Sequence, residues 1–187
     1  RDYQFDPARH TLVSAASCTT TALAHMIRPL LDRELTRDMI TAGMSTIHAV
    51  TNSQPVLDSV PKAGATDLRK TRGAMGNLVL TSTNAAAALE QVMPEIGVIG
   101  FMADSVRVPT QSVSLIILNV TFQSETLPDG TVSVDREAIN AIYREYASAF
   151  PFVSFVDAGA AVETPDGRYT DRLPCTPYDS DCAANGT

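Results

Sequence analysis

The segment Ser14-Ala-Ala-Ser-Cys18-Thr-Thr-Thr-Ala-Leu-Ala24 constrains this chain more than any other stretch. Ahead of it, the apolar run Thr11-Leu12-Val13 reads as a strand that breaks at small residues. From Cys18 onward, apolar residues recur at Leu23, Met26, Ile27 and Leu30, a spacing that predicts a helix running to about Leu35. Pro29 lacks a backbone donor and is expected to kink or shorten its last turns. A thiol is thereby set at a strand-to-helix junction, over the first helical turn. Unpaired N–H groups and the positive end of the helix dipole favour a thiolate there. Such a cysteine is either a nucleophile or an inert buried residue, and the rest of the chain has to decide which.

The chain has 187 residues, enough for one domain with a real core, and 44% hydrophobic against 19% charged residues is a globular balance. A net charge of −7 argues against nucleic acid or an anionic membrane surface as partner. No apolar run is long enough to span a membrane, and the N-terminal residues lack the apolar stretch of a signal peptide. Three cysteines form a sparse, odd set, which points to a reducing compartment and a cytoplasmic location. The spacing of Cys175 and Cys182 fits no zinc motif, so no metal site is expected.

Taken in order, Met39–Val50 reads as a strand with His48 near its C-terminal end. A polar, Pro- and Gly-containing loop of about 25 residues follows, a length that is usually functional or disordered. It carries the basic cluster Asp67-Leu-Arg-Lys-Thr-Arg72, which reads equally well as a solvated surface. Leu78–Leu80 is a short strand, and Thr81-Ser-Thr83 caps a helix over Asn84–Met93. Val98–Met102, Ser105–Val108 and Val113–Phe122 read as strands. In the last, Val113, Leu115 and Ile117 are expected to form the fully buried face. A turn at Asp129-Gly130, a helix from Asp135 to about Ser148 and a strand candidate at Phe152–Val156 complete the pattern. Many strands with few helices predict an α+β fold: a mixed, largely antiparallel sheet with helices on one face.

A thiol nucleophile needs a base beside it, and His48 is the candidate to activate Cys18 and to move protons in later steps. Thr51 and Asn52 adjoin His48, Thr83 opens a helix and Arg107 ends a strand. Hydroxyls, a helix N-terminus and arginine are what a phosphate-bearing substrate requires.

Five motifs together carry a family resemblance: Ser14-Ala-Ala-Ser-Cys-Thr-Thr-Thr, Ser45-Thr-Ile-His-Ala-Val-Thr-Asn, Asp67-Leu-Arg-Lys-Thr-Arg, Thr81-Ser-Thr-Asn-Ala-Ala and Arg107-Val-Pro-Thr-Gln-Ser-Val-Ser. In order and approximate spacing, from Phe5 to Ala147, they resemble the catalytic domain of phosphorylating glyceraldehyde-3-phosphate dehydrogenases. The resemblance implies that Cys18 adds to the aldehyde, that hydride passes to NAD, and that phosphate attacks the resulting thioester. It implies His48 as the acid/base, Thr51 and Arg107 as ligands of the substrate phosphate, and Ser17, Thr19 and Thr83 around the attacking phosphate. The loop after Thr51 looks like the family's S-shaped loop at the cofactor pocket and subunit contacts.

This chain departs from the family pattern at several positions. Ala15 stands where the family has Asn, Thr21-Ala22 where it has Asn-Cys, Asn84 where it has Gly, and Lys70 where it has Arg. Extra residues around Ala63-Gly64-Ala65 lengthen the loop. No G-x-G-x-x-G follows a strand anywhere in these residues, and nothing matches the family's closing segment.

The expected organisation is a catalytic domain over residues 1–149 without its Rossmann half, and a divergent, weakly ordered segment over 150–187. The expected partners are a phosphorylated aldehyde, inorganic phosphate, and a second copy of the chain or a Rossmann domain. Erythrose 4-phosphate is the alternative substrate. A non-enzymatic domain kept for binding or assembly is the alternative function, and thiol chemistry without NAD, such as slow ester hydrolysis, is a third.

Overall fold

A computed structural model describes residues 6–156, which divide into two compact units, the first ending at Ser124 and the second beginning at Glu125. The first unit opens in irregular chain. Residues 11–13 form no strand, and Leu12 and Val13 lie exposed. Three residues with no neighbouring strand among the described residues, and with exposed side chains, do not realise their β propensity. Helix α1, Cys18–Leu31, therefore starts directly from coil.

Ser17 is the N-cap of α1, its Oγ accepting from the Thr20 N–H at 3.0 Å. Leu23, Ile27 and Leu30 make a fully buried stripe at helical spacing. The helix stops at Leu31, short of the expected Leu35, and the Thr36 hydroxyl donates to the freed Leu30 carbonyl at 2.7 Å. Arg28 pairs with Asp32 and, at 3.2 Å, with Glu95.

Strand β1, Met39–Ala49, is the second strand from one edge of a four-stranded sheet. A long irregular stretch with one 3-10 turn at Leu68–Thr71 leads to the short strand β2, Val79–Thr81. Helix α2, Ala85–Val92, follows and packs against α1. Thr83 caps it from one position further back than usual, its Oγ1 accepting from the Ala85 N–H at 3.2 Å, whereas the Asn84 side chain makes no cap bond.

The two segments Val98–Met102 and Ser105–Val108 are replaced by one continuous strand β3, Gly100–Val108. Pairing of Ala103 and Asp104 with Met44 and Ser45 carries the ladder through the polar interruption, and Ser45 Oγ donates to Asp104 Oδ2 at 3.2 Å. Val98 belongs to the preceding 3-10 turn. Strand β4, Ser114–Phe122, completes a sheet of order β2-β3-β1-β4, in which β1 and β3 are parallel and the other two pairings antiparallel. The fold class is the expected one: α+β, mixed and largely antiparallel.

On one face of the sheet, the inner one, Ala42, Met44, Thr46, Val79, Thr81 and Ser105 are buried. The expected orientation of β4 is reversed. Ile116, Leu118, Val120 and Phe122 are half-buried and share the inner face, whereas Val113, Leu115 and Ile117 are exposed. Both sets are apolar, so hydrophobicity alone did not distinguish them. The pairing of Met44 with Leu118 and Thr46 with Ile116 set the register, and side-chain direction follows from register.

The second unit contains a turn at Asp129-Gly130, with Gly130 at φ +84, flanked by a bridge between Thr126 and Val132. Helix α3, Arg136–Ala149, is capped by the Asp135 carboxylate, which accepts from the Ala138 N–H at 2.8 Å. Its Tyr146 stacks on Phe150, Arg144 lies over the Phe155 ring, and burial pushes the Tyr143 hydroxyl up to about 12. Residues 152–156 form no strand. Cys175, Cys182 and most of the segment read as weakly ordered lie outside the described residues.

Candidate active site

Parallel pairing of β1 with β3 puts His48 directly opposite Arg107 on the inner face, at the C-terminal ends of both strands. Helices α1 and α2 both direct their N-termini at this end. Between them lies an open cleft of about 330 Å³ lined by Ala16, Ser17, Cys18, Thr19, Thr20, His48, Ser82, Thr83, Asn84, Ala85, Ala88, Ser105 and Arg107. None of these lining residues is acidic. Two positive helix ends and one guanidinium make the cleft suited to an anion.

Cys18 is the first residue of α1 and is exposed. Its Sγ lies 3.6 Å from His48 Nε2. The other imidazole nitrogen, Nδ1, lies 2.7 Å from the Ala49 carbonyl oxygen. A carbonyl can only accept, so Nδ1 carries a hydrogen, and in the neutral form of the ring the Nε2 lone pair faces the thiol. The pair therefore has the geometry of a nucleophile and its base. Arg107 Nη1 donates to the same Ala49 oxygen at 3.3 Å, while its Nε is buried and has no protein acceptor. One backbone carbonyl thus holds both the imidazole and the guanidinium.

Of the residues singled out from sequence, Ser17, Cys18, Thr19, His48, Thr83 and Arg107 meet in this cleft. Thr51 does not line it. It lies beyond the end of β1, where its N–H donates to Gln54 Oε1 at 3.0 Å and its hydroxyl is bonded to Ser53 and Gln54. The basic cluster is likewise engaged locally, Arg69 with Asp67 and Arg72 with Asp58. Asp67 is held below the usual carboxylate range by the Arg69 guanidinium.

Three participants were not read from sequence. Ser105 lies on the cleft floor, two residues before Arg107 on the same face, and the strand period could have located it. Ser82 was read only as part of a helix cap. The Ala49 carbonyl has no side-chain signature at all. Among the described residues, no cluster of His, Cys, Asp or Glu could hold a metal ion, and no helix is long and apolar enough to cross a membrane.

Residues 17–149 match the family model described as glyceraldehyde 3-phosphate dehydrogenase, C-terminal domain. The chain is similar to glyceraldehyde-3-phosphate dehydrogenase 1 of Bacillus cereus, with 40% identity over 77% of this chain and 38% of that protein. It is also similar to glyceraldehyde-3-phosphate dehydrogenase 1 of Bacillus subtilis, at 37% identity over 77% and 38%. The cytosolic glyceraldehyde-3-phosphate dehydrogenase of Scenedesmus vacuolatus is 42% identical over 62% of this chain and 35% of its own length. The chain thus spans under two-fifths of the length of these relatives. With the matched span running from the N-cap of the cysteine-bearing helix to the last residue of α3, this chain belongs to the glyceraldehyde-3-phosphate dehydrogenase family, as a representative of its C-terminal, catalytic domain.

Proposed function

We propose that this chain supplies the thiol half of an NAD-dependent, phosphorylating aldehyde dehydrogenase site acting on glyceraldehyde 3-phosphate. The observation that carries the reading is the 3.6 Å approach of Cys18 Sγ to a His48 whose other nitrogen is committed to a carbonyl. In the first step the Cys18 sulfur bonds to the aldehyde carbon. The thiol proton passes to His48 Nε2, which returns it to the developing oxyanion, giving a neutral thiohemiacetal. In the last step a phosphate oxygen bonds to the thioester carbon, the C–S bond breaks, and the electron pair returns to Cys18 sulfur. Arg107, with Ser17, Thr19 and Thr83 at the two helix N-termini, binds the anions in this reading. Thr51 joins them only if its hydroxyl leaves Gln54.

A bound NAD would supply the hydride acceptor that oxidation of the aldehyde requires. The described residues contain no glycine-rich turn leading from a strand into a helix, the element that cradles a dinucleotide. These residues by themselves do not fit that cofactor. In this reading residues 1–149 form the catalytic domain, the protein works in the cytoplasm, and copies of the chain associate through the exposed face of the sheet. The apolar row Leu80, Val106, Ile47 and Leu115, in register across four strands, supports that last point.

Acyl transfer tests the proposal without any cofactor. An activated ester such as p-nitrophenyl acetate should acylate Cys18 with release of one phenolate, and phosphate should speed the release of the acyl group as acyl phosphate. Cys18→Ser should abolish the adduct, read by intact mass. Iodoacetate at pH 7 should label Cys18 faster than Cys175 or Cys182, and equal rates for all three thiols would sink the assignment.

A further inference from the structure

Two non-glycine residues among those described have positive φ. Ala16, at +55, belongs to the lead-in to α1; the other, Val113 at +71, belongs to the connection between β3 and β4. A β-branched residue in the left-handed region is a true outlier, because both Cγ atoms crowd the backbone. Strain of this kind is sometimes offset by burying the side chain, but Val113 is 78% exposed. Its side chain gains little from the conformation, so the compensation has to come from the backbone.

The topology explains why the strain arises there. Strands β3 and β4 flank β1 on either side, so the five residues Pro109–Val113 must cross two strand spacings, about 10 Å, over the C-terminal end of β1. Thr110 begins the crossing tightly, its N–H donating to the Val108 carbonyl at 2.8 Å. Val113 ends it, immediately before Ser114 pairs with His48. At +71 its carbonyl turns onto β1 and accepts from the Ala49 N–H at 3.2 Å, one step past the last rung of the β1–β4 ladder. Ala49 is the residue whose own carbonyl oxygen holds His48 Nδ1 and Arg107 Nη1. A left-handed valine and a carbonyl that receives two side-chain donors are therefore joined by one hydrogen bond.

We propose that Val113 is a positioning residue: its strained backbone clamps Ala49 at the end of β1, and through the Ala49 carbonyl it sets the direction of both the His48 ring and the Arg107 guanidinium. Strain persists where the surrounding structure over-determines it and where it pre-organises a site. The role in catalysis rests on the reading of Cys18 and His48 given above; the clamp itself rests only on the hydrogen bonds. A glycine here would adopt the same conformation without cost but would also leave it freely. The valine sits in a crossing too short to let it relax.

The test compares Val113→Gly with Val113→Asn in the full chain. Asparagine tolerates the left-handed region better than most residues, so it should keep the clamp. Val113→Asn is expected to retain the wild-type rate of Cys18 acylation by p-nitrophenyl acetate and its pH profile. Val113→Gly is expected to melt no lower than wild type yet to acylate about tenfold more slowly, because small misplacements of a base are expensive, and with an altered pH profile. The His48 Nδ1–H resonance should be sharp in wild type and Val113→Asn and broadened in Val113→Gly. An unchanged rate, profile and resonance in Val113→Gly would overturn the inference. So would a fall in melting temperature with the pH profile unchanged, which is the signature of a purely structural role. If the wild-type chain fails to acylate at all, the functional reading fails, while the His48 resonance still decides the clamp.

Discussion

The two faces of the sheet have similar apolar content and opposite fates. On the inner face Met44 and Thr46 are almost wholly buried, and at its C-terminal end the polar residues His48, Ser105 and Arg107 face two helix N-termini. On the outer face Met102 is 78% exposed and Leu115 57%, beside Ile117 and Leu80. The inner face is where polar groups are fixed by backbone partners and helix ends, so chemistry becomes possible there. The outer face carries apolar area with no such partners, the area that the proposed association would cover. The difference shows that apolar content does not mark the functional face; what marks it is which ends of the helices converge on it.

The sharpest way to break this contrast is at its chemical end. His48→Ala should slow acylation of Cys18 by about 10²–10⁴-fold, the usual contribution of a positioned general base; stopped-flow release of p-nitrophenolate measures it. If the rate survives, the cleft is not organised around a base. Next comes packing. Leu23→Ala, in the buried stripe of α1, is expected to cost about 2–5 kcal/mol, read by urea unfolding, whereas Met102→Ala on the outer face should stay within about 0.5 kcal/mol in dilute solution. Equal costs would mean that the outer face is covered even then.

A Leu115→Lys change should shift sedimentation toward the monomer and leave the acylation rate unaltered. A monomeric wild type would remove the association reading. The smallest expected effect lies at the far end of α1. Glu95 is held below the ordinary carboxylate range, first by its own backbone N–H and then by Arg28. A depressed folded-state value means that the stabilisation is present above the unfolded value of about 4.5 and is lost as pH falls through the folded one. Both side chains are substantially exposed, so Glu95→Gln should cost less than about 1 kcal/mol, and less still in high salt.

Much of this arrangement was legible before any coordinates. The stripe Leu23, Ile27 and Leu30 announced α1, the Asp135 cap announced α3, and Cys18 with His48 stood out as a candidate pair that the fold brings to 3.6 Å. Two strand readings failed: Thr11–Val13 and Phe152–Val156 have β propensity but pair with no strand among the described residues. Two others, Val98–Met102 and Ser105–Val108, were wrongly separated. Asp104 breaks the hydrophobic run but not the hydrogen-bond ladder, and it finds Ser45 across the sheet. Thr51 was grouped with the site because it follows His48 closely, but the chain turns at the end of β1 and its hydroxyl goes to Gln54.

By itself the sequence determined the helices and most of the strands, the family, and the residue types able to do thiol chemistry on an anion. Those properties are written in short-range periodicity, capping and motif spacing, each carried by residues close together in the chain. Tertiary structure alone decided which face of β4 turned inward, that Ser105 reached the cleft floor, and that one carbonyl at Ala49 would hold both His48 and Arg107. Each of these depends on register between strands distant in sequence and on backbone atoms that every residue carries alike. No pattern of side chains records them, and the left-handed Val113 that ends the crossing over β1 reads in the sequence as one more strand valine.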